Sequence, residues 1–225
     1  MKRRAQRAVC WISTRVVLSC SRLVGYERVN YEVLGWPPDG PKLRLDHERF
    51  SYAGKFVMTT TGKAVARDED DLVAAVAFNE DRTDDSSLWL RYVTVARDRR
   101  GEGIGPRLLA FVRERALESE RGYERLRIAV NNPYAYEALS RIGFEYTCET
   151  TGIAELLLEY DSTRHRDSEV PSNDPPRVDA DRYESGLREF TSRDRNLTED
   201  ERAFLETRFE RGPPARLESE DAGLE

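Results

Sequence analysis

Cysteine and histidine are nearly absent from this sequence, with three of the one and two of the other in 225 residues. Cys10, Cys20 and Cys148 are too few for a disulfide framework, and with His47 and His165 they form no CxxC or HExxH spacing that would hold zinc. This argues against a stapled secreted module and a metalloenzyme, and no metal is expected. A long apolar run is missing too. The stretch Ala8 to Val24 is interrupted by Arg15, Ser19, Ser21 and Arg22, which makes it too short and too charged to span a bilayer. A basic surplus is also lacking: the formal net charge of -6 argues against a general nucleic-acid binder, because phosphate attraction needs a net basic face. What remains, 39% hydrophobic and 35% charged residues with a mean hydropathy of -0.70, suffices for one packed domain with polar additions.

Lysine is the other scarce residue, limited to Lys2, Lys42, Lys55 and Lys63, so almost all positive charge is arginine. Charge changes sign along the chain: residues 1 to 29 are basic, residues 161 to 225 are acidic, and further carboxylates gather at Asp68 to Asp71 and Asp81 to Asp85. Arginine in place of lysine with acidic loops resembles the composition of halophilic archaeal proteins. A GC-rich genome with a mildly acidic protein gives the same pattern.

Residues 1 to 25 have a basic start and a short apolar middle, superficially like a secretory leader. Arg15 in the middle and the lack of a clean small-residue cleavage site favour a poorly ordered basic extension, or a start codon assigned too early. From Tyr31 to Gly54 the text is β-leaning but irregular around the turn signal Trp36 to Pro41. Strands are predicted over Lys55 to Arg67, Leu72 to Asn79 and Ser87 to Val95, and the turns between them are too short for crossover helices, so neighbours should be antiparallel. Strict alternation in the last strand places Leu88, Leu90, Tyr92 and Thr94 on one face and Trp89, Arg91, Val93 and Val95 on the other. Ile104, Leu108, Phe111, Val112 and Ala116 form one stripe at helical spacing, with Pro106 in the first turn and Gly122 closing the far end. A buried strand Leu126 to Val130 completes a βαβ unit with parallel strands. A second helix starts at Asn131-Asn132-Pro133 and ends before Gly143, and Phe144 to Cys148 with Ala154 to Tyr160 form an antiparallel pair in which Cys148 reads as a small core residue. Ser168 to Pro176 reads as a linker, followed by short amphipathic helices near Asp181 to Phe190 and Thr198 to Glu210, the second with a capping-box start.

The stretch that carries chemistry is Val95-Ala96-Arg97-Asp98-Arg99-Arg100-Gly101-Glu102-Gly103-Ile104-Gly105. A strand enters a loop with glycines at alternate positions, and the loop enters a helix N-terminus. Glycines admit a ligand close to the backbone, and exposed N–H groups with the positive end of the helix dipole suit phosphate oxygens. Competing phosphate loops fail: GxxxxGK[ST] is absent, and GxGxxG breaks at Pro106 or at Leu108.

Arg100-x-x-Gly103-x-Gly105 resembles the [RQ]xxGx[GA] acetyl-CoA signature of the GNAT superfamily of N-acetyltransferases. Asn132-x-x-Ala135 and Gly143-Phe144 are similar to that family's second block, and the order strand, loop, long helix, strand, short helix, hairpin from Ser87 to Tyr160 agrees. The resemblance implies an α/β (α+β) fold with a mixed, mostly antiparallel sheet flanked by helices. It implies that the amides of Arg100, Gly101, Glu102, Gly103, Ile104 and Gly105 hold the CoA diphosphate, that the backbone near Val93 and Val95 pairs with the pantetheine arm, and that Asn132 hydrogen-bonds that arm. The thioester would lie where the Ser87 to Val95 and Leu126 to Val130 strands splay. A primary amine would attack the acetyl carbonyl directly, with a base for the ammonium, amides for the oxyanion and an acid for the thiolate.

At the acid the sequence departs from the family, since Leu139 stands where a Tyr is common. Tyr136, three residues earlier on nearly the same face, is the substitute candidate, and Ser140 or a water on it the next. Glu80, Asp81, Glu137 and His47 are base candidates by type, each also readable as a surface residue. A water chain is the alternative.

The sequence thus reads as a basic extension (1 to 25), an acetyltransferase domain (26 to 162), a linker (163 to 180) and a helical appendage with an acidic tail (181 to 225). The expected activity is cytoplasmic, acetyl-CoA-dependent N-acetylation of an amine on a small molecule, protein N-terminus or lysine. No nucleic acid or membrane partner is expected, and the oligomeric state stays open, a homodimer included. A CoA-binding sensor without turnover is the alternative, kept alive by the missing Tyr.

Overall fold

A computed structural model describes residues 29–167, 178–192 and 197–217. The predicted basic extension, the Ser168 to Pro176 linker, Cys10 and Cys20 lie outside the described residues. Seven strands form one sheet: β1 (Val29–Gly35), β2 (Gly62–Asp68), β3 (Asp71–Glu80), β4 (Ser87–Val95), β5 (Arg125–Val130), β6 (Glu145–Thr150) and β7 (Leu156–Asp161). Their order is β1-β2-β3-β4-β5-β7-β6, with β4 and β5 parallel and every other pair antiparallel. This is the mixed, mostly antiparallel sheet that the strand spacing predicts. The final hairpin folds back so that β7, not β6, pairs with β5.

Helices α1 (Ile104–Leu117) and α2 (Pro133–Arg141) cover one face of the sheet. The α1 stripe Ile104, Leu108, Phe111, Val112 and Ala116 is buried there in the main core, as its periodicity requires. The helix ends earlier than Gly122. Ser119 turns its hydroxyl back onto the Ala116 carbonyl (2.7 Å), competing with the next helical turn, and Gly122 takes a left-handed φ of 72° in the turn beyond. The other face carries a smaller cluster of Phe56, Val65, Ala75 and Ala77, lined by Leu34, Leu43, Leu45 and Tyr92.

Two predicted strand features are corrected. Residues 55–61 do not extend β2, because the chain there coils around the buried ammonium of Lys63. That group donates to the Met58 carbonyl (2.6 Å), the Thr61 carbonyl (2.6 Å) and the Thr61 hydroxyl (2.7 Å), and burial pushes it below the ordinary lysine value. In β4 the alternation breaks: Ala77 pairs with Tyr92 but Phe78 with Leu90, so Arg91 is an extra residue, a β-bulge. Past it the faces exchange, and Val93 and Val95 join Leu88 and Leu90 on the main core while Tyr92 turns to the second face. Cys148 is corrected as well: it is exposed with φ 65° at the irregularity between Tyr146 and Thr150, not a core residue.

The chain continues into α3 (Ser162–Asp167), α4 (Ala180–Ser192) and α5 (Glu199–Arg211). The capping box read at Thr198 and Glu201 is present. Tyr183, Leu187 and Phe190 of α4 and Leu205 of α5 are at most 2% exposed and belong to the main core. Close approach is what Gly186 permits, since a Cβ there would stand 2.1 Å from the Tyr136 hydroxyl.

Candidate active site

The β3–β4 turn fastens one end of the β4/β5 pair. Asp84 accepts from the Ser86 and Ser87 hydroxyls (2.6 Å each) and from Arg125 (2.8 Å), and these donors hold its carboxyl well below the usual carboxylate range. Pairing between β4 and β5 runs from Ser87 and Arg125 to Leu90 and Ile128, and no further. Beyond Leu90 the β5-facing edge of β4, which includes Val93 and Val95, has no strand beside it. The bulge at Arg91 sits where the two strands part. Thr94, on this free length, has a buried hydroxyl without a hydrogen-bond partner among the described residues.

From the end of β4 the chain passes through a short 3-10 turn, Arg97–Arg99, into the glycine loop. Gly101 and Gly103 adopt φ of 86° and 77°, left-handed values that residues with a Cβ rarely take, and space above Gly101 is open. Gly103 is the N-cap of α1, makes no side-chain cap, and no acidic residue stands in the first turn. The first bond of α1 runs from the Arg107 N–H to the Gly103 carbonyl (3.3 Å), so the amides of Gly103, Ile104 and Gly105 lack intrahelical acceptors. The charge of Arg99 is matched by Asp68 and Glu102, each at 2.9 Å. Arg100 instead donates to the Ser51 hydroxyl (3.0 Å) and the Val95 carbonyl (3.4 Å), and has no carboxylate partner among the described residues. Unpaired donors, a helix dipole and one uncompensated guanidinium thus converge at the end of the strand that borders the gap.

Asn132 caps α2, its Oδ1 accepting the Ala135 N–H (2.8 Å), and its amide group faces Asn131 Oδ1 at 3.4 Å. The hydroxyls of both acid candidates on α2 are hydrogen-bonded within the protein. The Tyr136 hydroxyl is buried beneath α4 and donates to the Tyr183 carbonyl (3.0 Å), its ring stacks on Tyr183 (centroids 5.4 Å apart), and burial pushes the phenol up far beyond its ordinary value. Ser140 is buried too and donates to the Tyr136 carbonyl (3.0 Å) within its own helix. Tyr136 is engaged because α4 of the tail covers that flank of α2, and Ser140 because it bonds back to the turn before it. The base candidates are also occupied: Glu80 accepts from Tyr123 and Arg121 (3.0 Å each), Asp81 from Trp89 and Thr83, and Glu137 from Arg208. His47 is a surface side chain near Asp46.

One cavity of about 210 Å³ opens on the second face of the sheet, floored by β5, β7 and β6 and bordered by Arg127, Glu149, Leu157, Glu159, Arg164 and Arg182. Sequence reasoning missed these residues, because β5, the closing hairpin, α3 and α4 meet only in the folded chain. Among the described residues no cluster of three His, Cys, Asp or Glu is placed to hold a metal ion, and no helix is long and apolar enough to cross a membrane.

Among solved structures, an IAA acetyltransferase from Bacillus cereus ATCC 14579 is 17% identical, with 59% of this chain and 99% of that chain covered at a TM-score of 0.45. A Bacillus subtilis acetyltransferase in complex with CoA is 15% identical over 59% of this chain and 98% of its own, with a TM-score of 0.46. A GNAT family acetyltransferase from Elizabethkingia anophelis with acetyl-CoA bound is 15% identical over 60% of this chain and 98% of its own, with a TM-score of 0.45. A comparison with curated proteins finds no match. The model of the acetyltransferase (GNAT) family matches residues 29–144, from the first residue of β1 to Phe144. Within that span lie the splayed strands, the amide-lined loop and the capped α2, and with more than half of its length matched the chain belongs to the acetyltransferase (GNAT) family.

Proposed function

We propose that this chain transfers an acetyl group from acetyl-CoA to a primary amine by direct attack within a ternary complex. The observation that carries the reading is the mouth of α1: free amides from Gly103 to Gly105, no acidic residue in the first turn, Glu102 before it paired with Arg99, and Arg100 without a carboxylate partner among the described residues, opening beside the gap between β4 and β5. These residues fit a diphosphate. The amides between Arg100 and Gly105 would hold it, as a helix N-terminus holds any phosphate. The unpaired edge of β4 near Val93 and Val95 would hydrogen-bond an extended amide-bearing arm as one more strand. The Asn132 amide, at the start of α2, and the buried Thr94 hydroxyl are donors available to the same arm. Bound there, acetyl-CoA supplies an activated acyl carbonyl, and the protein orients it and shields it from water.

Deprotonation of the ammonium falls to water or to a carboxylate released from its partner, since Glu80, Asp81 and Glu137 are all engaged. With the Tyr136 and Ser140 hydroxyls engaged, protonation of the departing thiolate is left to solvent or the Thr94 hydroxyl. Cytoplasm, where acetyl-CoA is made available, is the compartment this activity suits.

The same engaged hydroxyls favour a second reading, a module that binds CoA without turnover. Incubation of the full chain with acetyl-CoA and a panel of amines, following free thiol, separates the two. Transfer predicts thiol release with at least one amine that exceeds the amine-free rate by about 100-fold or more, the scale of positioning and proton-transfer effects. Tight binding with no release on any acceptor would leave the sensor.

A further inference from the structure

We propose that the acceptor is a monoamine carried on a flat aromatic ring, and that Tyr52 and Tyr92 receive that ring beside the gap. The proposal rests on the transferase reading, which it narrows by substrate class. Position is the first argument. With the diphosphate at the mouth of α1 and the arm along Val93 and Val95, the acyl end reaches the closed end of the gap, at the Arg91 bulge. The main-core face is filled by α1 and α2, so the amine comes from the second face. On that face the gap is flanked by Tyr92 of β4 and by Ala129 of β5, whose neighbours Ile128 and Val130 are both buried in the main core. Ala129 presents only a methyl group and leaves room, so Tyr92 is the wall.

Backbone strain is the second argument. The Tyr52 ring stands against that of Tyr92, with centroids 6.0 Å apart and planes tilted by 38°, yet Tyr52 is 57% exposed. Its φ of 59° lies in the left-handed region, which is costly for a bulky side chain and persists only where the surroundings enforce it. Those surroundings are tied to the glycine loop. Arg49 is clamped to Asp71 by two bonds of 2.8 Å, and its carbonyl accepts the Arg97 N–H (3.1 Å). The Ser51 hydroxyl accepts from Arg100 (3.0 Å), and the Tyr52 carbonyl accepts from the Lys55 N–H (2.8 Å), closing the turn Ala53–Lys55. A ring held this way at the surface buries little of its own area and is placed to stack on a ligand. Charge is the third argument. The Lys55 ammonium stands 5.8 Å from the Tyr92 centroid, and neither it nor Arg91, which donates to Asn79, has a carboxylate partner among the described residues. Such a positive rim repels polyamines and favours the neutral form of a bound monoamine, which is the form that attacks. A ring-bearing monoamine suits both the aromatic wall and the charge.

The test titrates the full-length protein, loaded with CoA so that binding occurs without transfer, calorimetrically with 2-phenylethylamine, n-butylamine and spermidine. The phenyl compound should bind about tenfold or more tightly than either of the others, the scale of one aromatic contact. Tyr52→Gly suits the left-handed backbone, so it should melt within a few degrees of the parent and keep CoA binding while the three amines come to within about threefold of one another. Tyr52→Phe should keep the preference. Spermidine or n-butylamine binding as tightly as the phenyl compound, binding of none of the three, or a preference that survives in Tyr52→Gly would overturn the proposal. A much lower melting temperature for Tyr52→Gly would assign the ring to packing and overturn it too, and the wild-type comparison decides even if a variant misfolds. Ring-selective binding without thiol release in the turnover assay would strike the transferase reading and leave the aromatic site standing. Thiol release with spermidine or n-butylamine alone would do the reverse.

Discussion

A chain ended after Asp167 does not fold cooperatively at 25 °C. The truncation removes Tyr183, Leu187, Phe190 and Leu205, each buried in the core that α1 and α2 also fill. At about 1.5–3 kcal/mol per large apolar side chain, these four together are worth about 6–12 kcal/mol, which is the whole net stability of an ordinary domain at about 5–15 kcal/mol. The loss also uncovers Tyr136 and leaves its hydroxyl without the Tyr183 carbonyl. Circular dichroism should show no sharp thermal transition, and a hydrophobic dye should bind strongly. A soluble truncated chain that melts within a few degrees of the full protein would show that α4 and α5 are dispensable.

The second large effect is on binding rather than folding: Gly103→Asp should weaken acetyl-CoA by about 100-fold or more, about 2.8 kcal/mol. The new carboxylate would stand at the N-cap of α1, where the amides meet the phosphates, and would repel them. The fold should tolerate the change. A Cβ at Gly103 meets only the Arg107 side chain, at 3.4 Å, and the left-handed φ of 77° costs a non-glycine residue about 1–2 kcal/mol. Gly103→Ala carries the same backbone cost without the charge, so calorimetry should find its affinity within about tenfold of the parent. Undiminished binding by the Asp variant would place the diphosphate elsewhere.

Local patterns made the centre of the fold legible. The Ile104 stripe, Pro106 in the first turn and the glycine-bearing loop after Val95 each write their structure within a few residues, and each is where its pattern puts it. The start of α2 at Asn131-Asn132-Pro133 is written as locally. The errors fall where the outcome depends on a distant partner. The bulge at Arg91 arises from register against β3, so alternation along β4 alone puts Val93 on the wrong face. Residues 55–61 have strand-like composition, but burying one ammonium needs three oxygens around it and bends them into a turn. Tyr136 is a plausible proton donor by helix position, and only α4, with Gly186 leaving room for the phenol, shows that its hydroxyl is engaged. The arginines at the cavity come from β5, α3 and α4, and nothing in their spacing announces a common site.

Backbone amides report most directly on whether the mouth of α1 grips a diphosphate. In ¹⁵N-resolved spectra of the full-length protein, the N–H signals of Gly101, Gly103, Ile104 and Gly105 should shift on addition of acetyl-CoA and stay in place with acetyl-pantetheine, which lacks the phosphates. Signals that stay unmoved while acetyl-CoA binds, or that move equally with both compounds, would contradict the account.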